Sequence, residues 1–321
     1  MNAAFLIDTD TASDDAVAII MALRSPDVRV LAITTVAGNV NVQQAARNAL
    51  YTAELSGSNV PVFVGAEKPL RRLHQSADWF HGRDGLGDHG YPAPRRSLEK
   101  QPAVDAIVET IEANPGLVLV TLGPLTNIAL ALERKPSIAA KVSRCVIMGG
   151  APCCEGNVTP AAEYNIWCDP EAARFVFLSG LPVEMIGWHL CRGEAALNLT
   201  DIERLLGLDT PLARFAIECN SRAQEAYFEQ TGERGISLPD PVAMSIALDP
   251  SIVTQQTENY VDIETTSDLT CGMTVVDRLG VAANDRNKEV WAAVIKTGVK
   301  SKVAWTINIL RWKQALYRAL T

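Results

Sequence analysis

Short apolar runs alternate along this chain with segments whose apolar residues recur at helical spacing. Residues 3–7, 28–36, 60–64, 117–122, 145–148 and 183–186 read as buried strands. Residues 14–23, 42–55, 103–111, 126–132 and 170–178 read as helices. Strand and helix in strict turn predict parallel βαβ units with right-handed crossovers. The expected fold is therefore α/β, a Rossmann-like domain with a central, mostly parallel sheet flanked by helices. Residues 210–229 read as one long helix, and 289–319 as mostly helical. No linker or internal repeat divides the 321 residues, so a single domain over 1–321 is expected. In such sheets ligands bind beyond the carboxyl ends of the strands. The residues that follow each strand are the ones to inspect for chemistry.

Composition narrows the partners. Aliphatic, aromatic and cysteine residues make up 48% of the chain and charged residues 21%, an ordinary globular balance. A net charge of −8 argues against a broad phosphate-binding face, so a small molecule is expected and nucleic acid is not. The N-terminus runs straight into a strand-like segment without a basic, then hydrophobic, leader, and no stretch approaches the roughly 18 consecutive apolar residues of a membrane span. A cytoplasmic protein with no membrane partner is expected. Seven cysteines, an odd number, lie between Cys145 and Cys271 and read as free thiols. Cys153 and Cys154 are adjacent, without the spacing of a zinc knuckle.

The first strand leads into Asp8-Thr9-Asp10-Thr11-Ala12-Ser13-Asp14-Asp15, four carboxylates within eight residues. Ser13 could cap the following helix while Asp14 and Asp15 complement its dipole. That leaves Asp8 and Asp10 as uncompensated charge at the exit of a buried strand, which points to a metal or to catalysis. Carboxylates favour a hard cation, calcium or magnesium. An EF-hand is excluded, because a loop counted from Asp8 would place Ile19 where its twelfth-position glutamate belongs. Asp8-Thr9-Asp10 also fits the Asp-x-Asp of haloacid dehalogenase-type magnesium phosphatases, but no later acidic motif completes that site.

Other strand ends carry polar groups. Gly38-Asn39 reads as a turn or as a ligand-binding pair. Leu122 precedes Gly123-Pro124-Leu125-Thr126-Asn127, either a tight connection or a source of a carbonyl ligand. Gly156-Asn157 and Glu163-Tyr164-Asn165 follow Gly149-Gly150; if the latter is extended, Glu163 and Asn165 share one face, suited to a polyhydroxyl ligand. Asp240-Pro241 reads as an N-cap with proline at the first helical position, an arrangement that does not by itself mark a metal ligand.

Taken in order, these segments resemble the inosine-uridine-preferring nucleoside hydrolase family, whose signature is an Asp-x-Asp-x-x-x-Asp-Asp-Ala run, here Asp8 to Ala16. The resemblance continues through Ala37-Gly38-Asn39-Val40, His81-Gly82-Arg83-Asp84-Gly85-Leu86-Gly87, Met148-Gly149-Gly150, Gly156-Asn157-Val158-Thr159, Asp169-Pro170-Glu171 and Gly272-Met273-Thr274, nearly the whole chain. It implies calcium-dependent hydrolysis of the N-glycosidic bond of ribonucleosides, to ribose and free base, in nucleoside catabolism and purine or pyrimidine salvage. It implies that Asp10, Asp15, Asp240 and the Leu122 carbonyl hold Ca²⁺. Asp14, Asn39, Asn157, Glu163 and Asn165 would bind the sugar, Asp10 would deprotonate the attacking water, and Asp8 would support the loop. A homo-oligomer, dimer or tetramer, is implied by the same resemblance.

Two departures from the family pattern stand out, the first a matter of loop detail and the second bearing on the leaving base. Thr11-Ala12 replaces the family's usual Pro-Gly, and Pro239 stands where some members carry a histidine that protonates the base. His189 lies where many members have an acidic residue, and reads equally as a core histidine. Trp79, His81, Arg222 and Tyr227 are the other residues that could stack on or protonate the base, although Tyr227 reads as well as simple packing. Loss of an acid at position 239 leaves one further alternative, a non-catalytic nucleoside or ribose binder; Asp10 as a water-activating base argues against it.

Overall fold

The structure, a computed structural model, describes residues 2–321. Its strands are β1 (Ala3–Thr9), β2 (Val28–Thr35), β3 (Val62–Val64), β4 (Val118–Thr121), β5 (Arg144–Met148), β6 (Val183–Ile186), β7 (Val253–Asn259), β8 (Val261–Ile263), β9 (Thr274–Val276) and β10 (Ser301–Ile307). Eight of them form one sheet in the order β3-β2-β1-β4-β5-β6-β10-β7, and β8 and β9 form a separate antiparallel ribbon. Within the large sheet every pairing is parallel except β7 with β10. The strands read from their apolar runs are thus the parallel body of the sheet. Such strands are covered on both faces, which is why they read as unbroken apolar runs.

On one face pack helices Ser13–Arg24, Val42–Leu55, Pro239–Leu248 and Ile309–Leu320; on the other, Ala103–Ala113, Thr126–Arg134 and Pro170–Phe177. Helix Pro239–Leu248 is buried at nearly every position and lies directly against Ser13–Arg24. This contact brings Asp240 beside Asp14 and Asp15 from the far end of the chain. The chain leaves β1 towards β2 on one side, and resumes at β4 on the other. The crevice beyond β1 and β4 is therefore the switch point of the sheet, where open α/β folds bind their ligands.

Two expected helices are corrected. The segment 210–229 is broken into Pro211–Glu218 and Ser221–Thr231. Asn220 is responsible: its side-chain amide donates to Ala216 O at 2.9 Å and to Ser13 O at 3.3 Å, and so competes with helical bonding at the break. The segment 289–319 contains helix Ala292–Thr297, the internal strand β10 and helix Ile309–Leu320. Gly298, at φ +67°, ends the first helix in the left-handed conformation. In β10, Val303 and Trp305 face one core and Ala304 the other. The edge strand β7, Val-Thr-Gln-Gln-Thr-Glu-Asn, is mostly exposed, and its polarity suits an edge that must not recruit other chains.

The last helix is anchored by Trp312, fully buried, whose indole N–H donates to Ala195 O at 3.0 Å. Trp312→Ala is expected to lower stability by about 3–5 kcal/mol through the cavity it leaves. Chemical denaturation measures this; a loss below about 1 kcal/mol would show that the helix is not needed for the core.

Candidate active site

The acidic loop is built from local bonds first. Asp8, still in β1, accepts from Thr34 Oγ1 of β2 at 2.5 Å and from Asn127 Nδ2 at 2.8 Å, which ties together the ends of three neighbouring segments. Burial pushes its carboxyl up to about 7. The helix then begins one residue earlier than a Ser13 cap requires. Ala12 is the N-cap, with no side chain able to accept, and Asp15 reaches back instead: its Oδ2 accepts Ala12 N at 2.9 Å and its Oδ1 accepts Thr9 Oγ1 at 2.5 Å. Ser13 is thereby released from capping, and its hydroxyl lies 2.8 Å from His81 Nδ1.

Asp10 occupies the crevice itself. Its Oδ2 accepts Asn39 N at 2.6 Å, while its Oδ1 is buried without any partner. A Cβ on Gly123 would stand 2.6 Å from that oxygen, and one on Gly38 would overlap the carboxylate. The carboxylate fits only because both flanking loops are glycine at the point of closest approach.

Asp240 arrives on a helix that starts at Pro239, with Leu238 as N-cap; the expected cap at Asp240 is corrected by two residues. Proline fits the first helical position because its missing N–H would have no helical partner there. The backbone N–H of Asp240 lies on the side of Asp14 and favours its charged form. Carboxylate oxygens of Asp14, Asp15 and Asp240 lie within 4.8 Å of one another, with Asp10 adjoining. Burial lifts Asp14 and Asp15 to about 6, and lifts Asp10 and Asp240 well above the carboxylate range, with mutual repulsion adding to it. The basic group in the cluster is His81, whose Nδ1 is 3.9 Å from Asp14 Oδ1 and which burial itself pushes down to about 4. Oxygen-only donors, an excess of negative charge and the orphaned Asp10 oxygen together fit a hard divalent cation.

Above these carboxylates opens a cleft. Asp14, Asn39, Leu122 and Asp240 form its floor, and Asn157, Glu163 and Asn165 one wall. Glu163 and Asn165 are not in a strand. Glu163 caps the short helix Tyr164–Cys168, its Oε1 accepting Asn165 N at 2.9 Å and its Oε2 accepting Gly150 N at 2.7 Å, and the helical turn brings both residues to the cleft. Asn165 Nδ2 donates to the Leu122 carbonyl at 2.9 Å, and Asn157 Oδ1 accepts Tyr164 N at 2.9 Å.

Trp79, Phe80 and His81, on helix Asp78–His81, also line the cleft. Arg222 is exposed and outside the cleft. Tyr227 is fully buried behind the wall, edge-on to Trp188, with its hydroxyl given to Glu233. His189 also lies outside, its Nε2 bonded to Ala304 O at 3.1 Å. The cleft adds residues that sequence reasoning did not single out. Met148, named earlier only within a motif, ends β5, and Trp188 follows β6 by two residues, so the rule of inspecting strand ends marks them; Gln230 and Ser237 carry no local signal.

A site of this kind can hold a polyhydroxylated ligand over a cation and offer carboxylates to a positive charge developing on it. Comparison with known proteins agrees with that chemistry. The family model described as inosine-uridine preferring nucleoside hydrolase matches residues 5–302. The chain is 39% identical over 296 residues to the pyrimidine-specific ribonucleoside hydrolase RihA of Salmonella paratyphi A, covering 91% of this chain and 94% of that one. It is 36% identical over 307 residues to uridine nucleosidase 1 of Arabidopsis thaliana, covering 95% and 89%. Among solved structures, the plant nucleoside hydrolase PpNRh1 superposes with a TM-score of 0.93 at 33% identity, over 100% of this chain and 99% of that one. With the Asp8 to Ala16 loop, the switch-point cleft and these matches in agreement, the chain belongs to the inosine-uridine preferring nucleoside hydrolase family and is a nucleoside hydrolase.

Proposed function

We propose that the protein hydrolyses ribonucleosides in a calcium-dependent reaction at the Asp10–Asp240 crevice. The observation that carries this reading is the convergence of four buried carboxylates, one with an orphaned oxygen: Asp14 and Asp240 line a cleft that Asn157, Glu163 and Asn165 also line, and Asp10 and Asp15 lie beneath it. Asp10, Asp15, Asp240 and the Leu122 carbonyl would hold the ion, with Asp14 close enough to take part. When bound, calcium supplies the positive charge that keeps the crowded carboxylates ionised and orients the oxygens around it.

The side chains then divide the work. Asp14, Asn39, Asn157, Glu163 and Asn165 bind the ribose hydroxyls. Asp10 takes a proton from the attacking water as its oxygen bonds to C1′. The C1′–N bond breaks, its electron pair leaves with the base, and the surrounding carboxylates stabilise the cationic sugar in between. Trp79 and His81 line the cleft and would meet the base, whereas Arg222 and Tyr227 are held elsewhere. All seven cysteines are free, which supports a cytoplasmic setting; a role in nucleoside salvage is proposed from family membership. A dimer or tetramer is proposed from family membership alone.

Asp15→Ala and Asp240→Ala are each expected to abolish tight binding of one calcium per chain, measured by metal analysis after dialysis. Asp10→Asn should keep weaker binding but lose turnover by roughly 10²- to 10⁴-fold, as when a general base is removed. Full calcium occupancy in both alanine variants, or normal turnover in Asp10→Asn, would reject these roles.

A site lined with hydroxyl-binding groups should discriminate against substrates that leave those groups unpaired. Inosine is expected to exceed 2′-deoxyinosine in kcat/KM by at least about a hundredfold. Equal values would contradict the assignment of the sugar wall.

With proline at 239, departure of the base has little help from that side of the cleft. In single-turnover experiments p-nitrophenyl riboside, whose leaving group needs little protonation, should be cleaved much faster than inosine or uridine, each tenfold gap marking about 1.4 kcal/mol of barrier. His81→Ala should slow the natural nucleosides far more than the activated riboside. Equal rates for the two substrate types would remove the leaving-group argument.

A further inference from the structure

Ser13 lies within the acidic run yet contributes no carboxylate and no helix cap. Its carbonyl accepts from Asn220 Nδ2 at 3.3 Å and from Cys219 Sγ at 3.6 Å, and its side chain is fully buried. The hydroxyl has one hydrogen-bond partner, His81 Nδ1, at 2.8 Å. We propose that Ser13 is a positioning residue that fixes the tautomer of His81, so that the ring presents an Nε2–H donor to the leaving base.

The argument is one of proton accounting. A buried hydroxyl hydrogen without an acceptor is costly. Nδ1 is the acceptor within reach of Ser13, so Ser13 donates to it and Nδ1 carries no proton. A neutral imidazole then has its proton on Nε2. His81 lines the cleft, and Nε2 has no hydrogen bond within the protein, nor is it among the buried atoms that lack a partner, so it faces the open cleft. Ring orientation is fixed from the other sides. Phe80 packs edge-on at 4.9 Å, the His81 carbonyl accepts Gly87 N at 2.9 Å, and the short helix hangs from Asn39 O through Ala77 N at 2.9 Å. Pro239, on the same cleft, has no proton to give. The donor that a nucleobase carbonyl or ring nitrogen meets on leaving is therefore a neutral imidazole N–H, oriented by a serine hydroxyl.

This inference rests on the leaving-group role of His81 proposed above, and the experiment separates the two. Ser13→Ala removes the hydroxyl without removing a cap, since Ala12 is the N-cap. It is expected to lower single-turnover rates on inosine and uridine by about tenfold. The loss on p-nitrophenyl riboside should be markedly smaller, and Ser13→Thr should restore most of the rate. Because both residues act through one bond, Ser13→Ala with His81→Ala should cost no more than His81→Ala alone. Nitrogen-15 NMR of the imidazole reads the tautomer directly: Nε2–H in the wild type, and a mixture in Ser13→Ala. An Nδ1–H tautomer in the wild type, or additive losses in the double variant, would overturn the role of Ser13 while leaving that of His81 intact. A His81→Ala variant without substrate selectivity would instead remove the leaving-group role, and the functional part of this inference with it.

Discussion

Four carboxylates, Asp10, Asp14, Asp15 and Asp240, are buried together where the central sheet changes direction, and much of the surrounding architecture is arranged to hold them there. Burial resists ionisation and displaces every one of them upward, and repulsion from neighbouring carboxylates adds to it at Asp10, Asp15 and Asp240. The protein meets this cost with backbone and hydroxyl donors. Asn39 N serves Asp10, and Thr9 Oγ1 and Ala12 N serve Asp15. These bonds fix positions but supply no full positive charge. That remaining deficit is what a divalent cation is suited to fill.

The same constraint explains features that look unrelated. Gly38 and Gly123 are small because the Asp10 carboxylate passes between them. Asp8, although outside the cleft, ties β2 and the start of helix Thr126–Arg134 to the end of β1. Asn39 is a junction. Its backbone N–H holds Asp10, its side chain approaches Asp15 at 3.4 Å, and its carbonyl carries the strap that bears Trp79 and His81. The acid cluster and the segment bearing Trp79 and His81 are therefore one hydrogen-bonded unit, and a shift in either would be felt by the other.

Helix capping shows how local chemistry was redirected towards the site. Ser13 looks like an N-cap in the sequence, but capping falls to Asp15, and the serine hydroxyl turns to His81. Glu163, expected on a strand face, instead caps the helix that carries Asn165. In both cases a side chain that satisfies a helix N-terminus is also part of the site. The backbone donors orient it more firmly than side-chain packing alone.

The sequence alone determined the parallel body of the sheet, because buried strands and amphipathic helices have different apolar periods that need no knowledge of neighbours. It also marked Asp10, Asp14, Asp15, Asn39, Asn157, Glu163, Asn165 and Asp240, since each follows a strand or opens a helix within a recognisable motif, and all of them except the deeper Asp10 and Asp15 line the cleft. Tertiary structure decided the rest. Strand β10 is set by pairing with β6 and β7, remote in the chain, and its seven residues carry too little local signal to separate strand from helix. The break at Asn220 depends on a bond to Ser13, invisible from either segment. Of the four residues considered for the base side, Trp79 and His81 face the cleft while Arg222 and Tyr227 do not. Which face of a short helix meets a cavity depends on how that helix docks, and docking is a property of the assembled core rather than of any local run of residues.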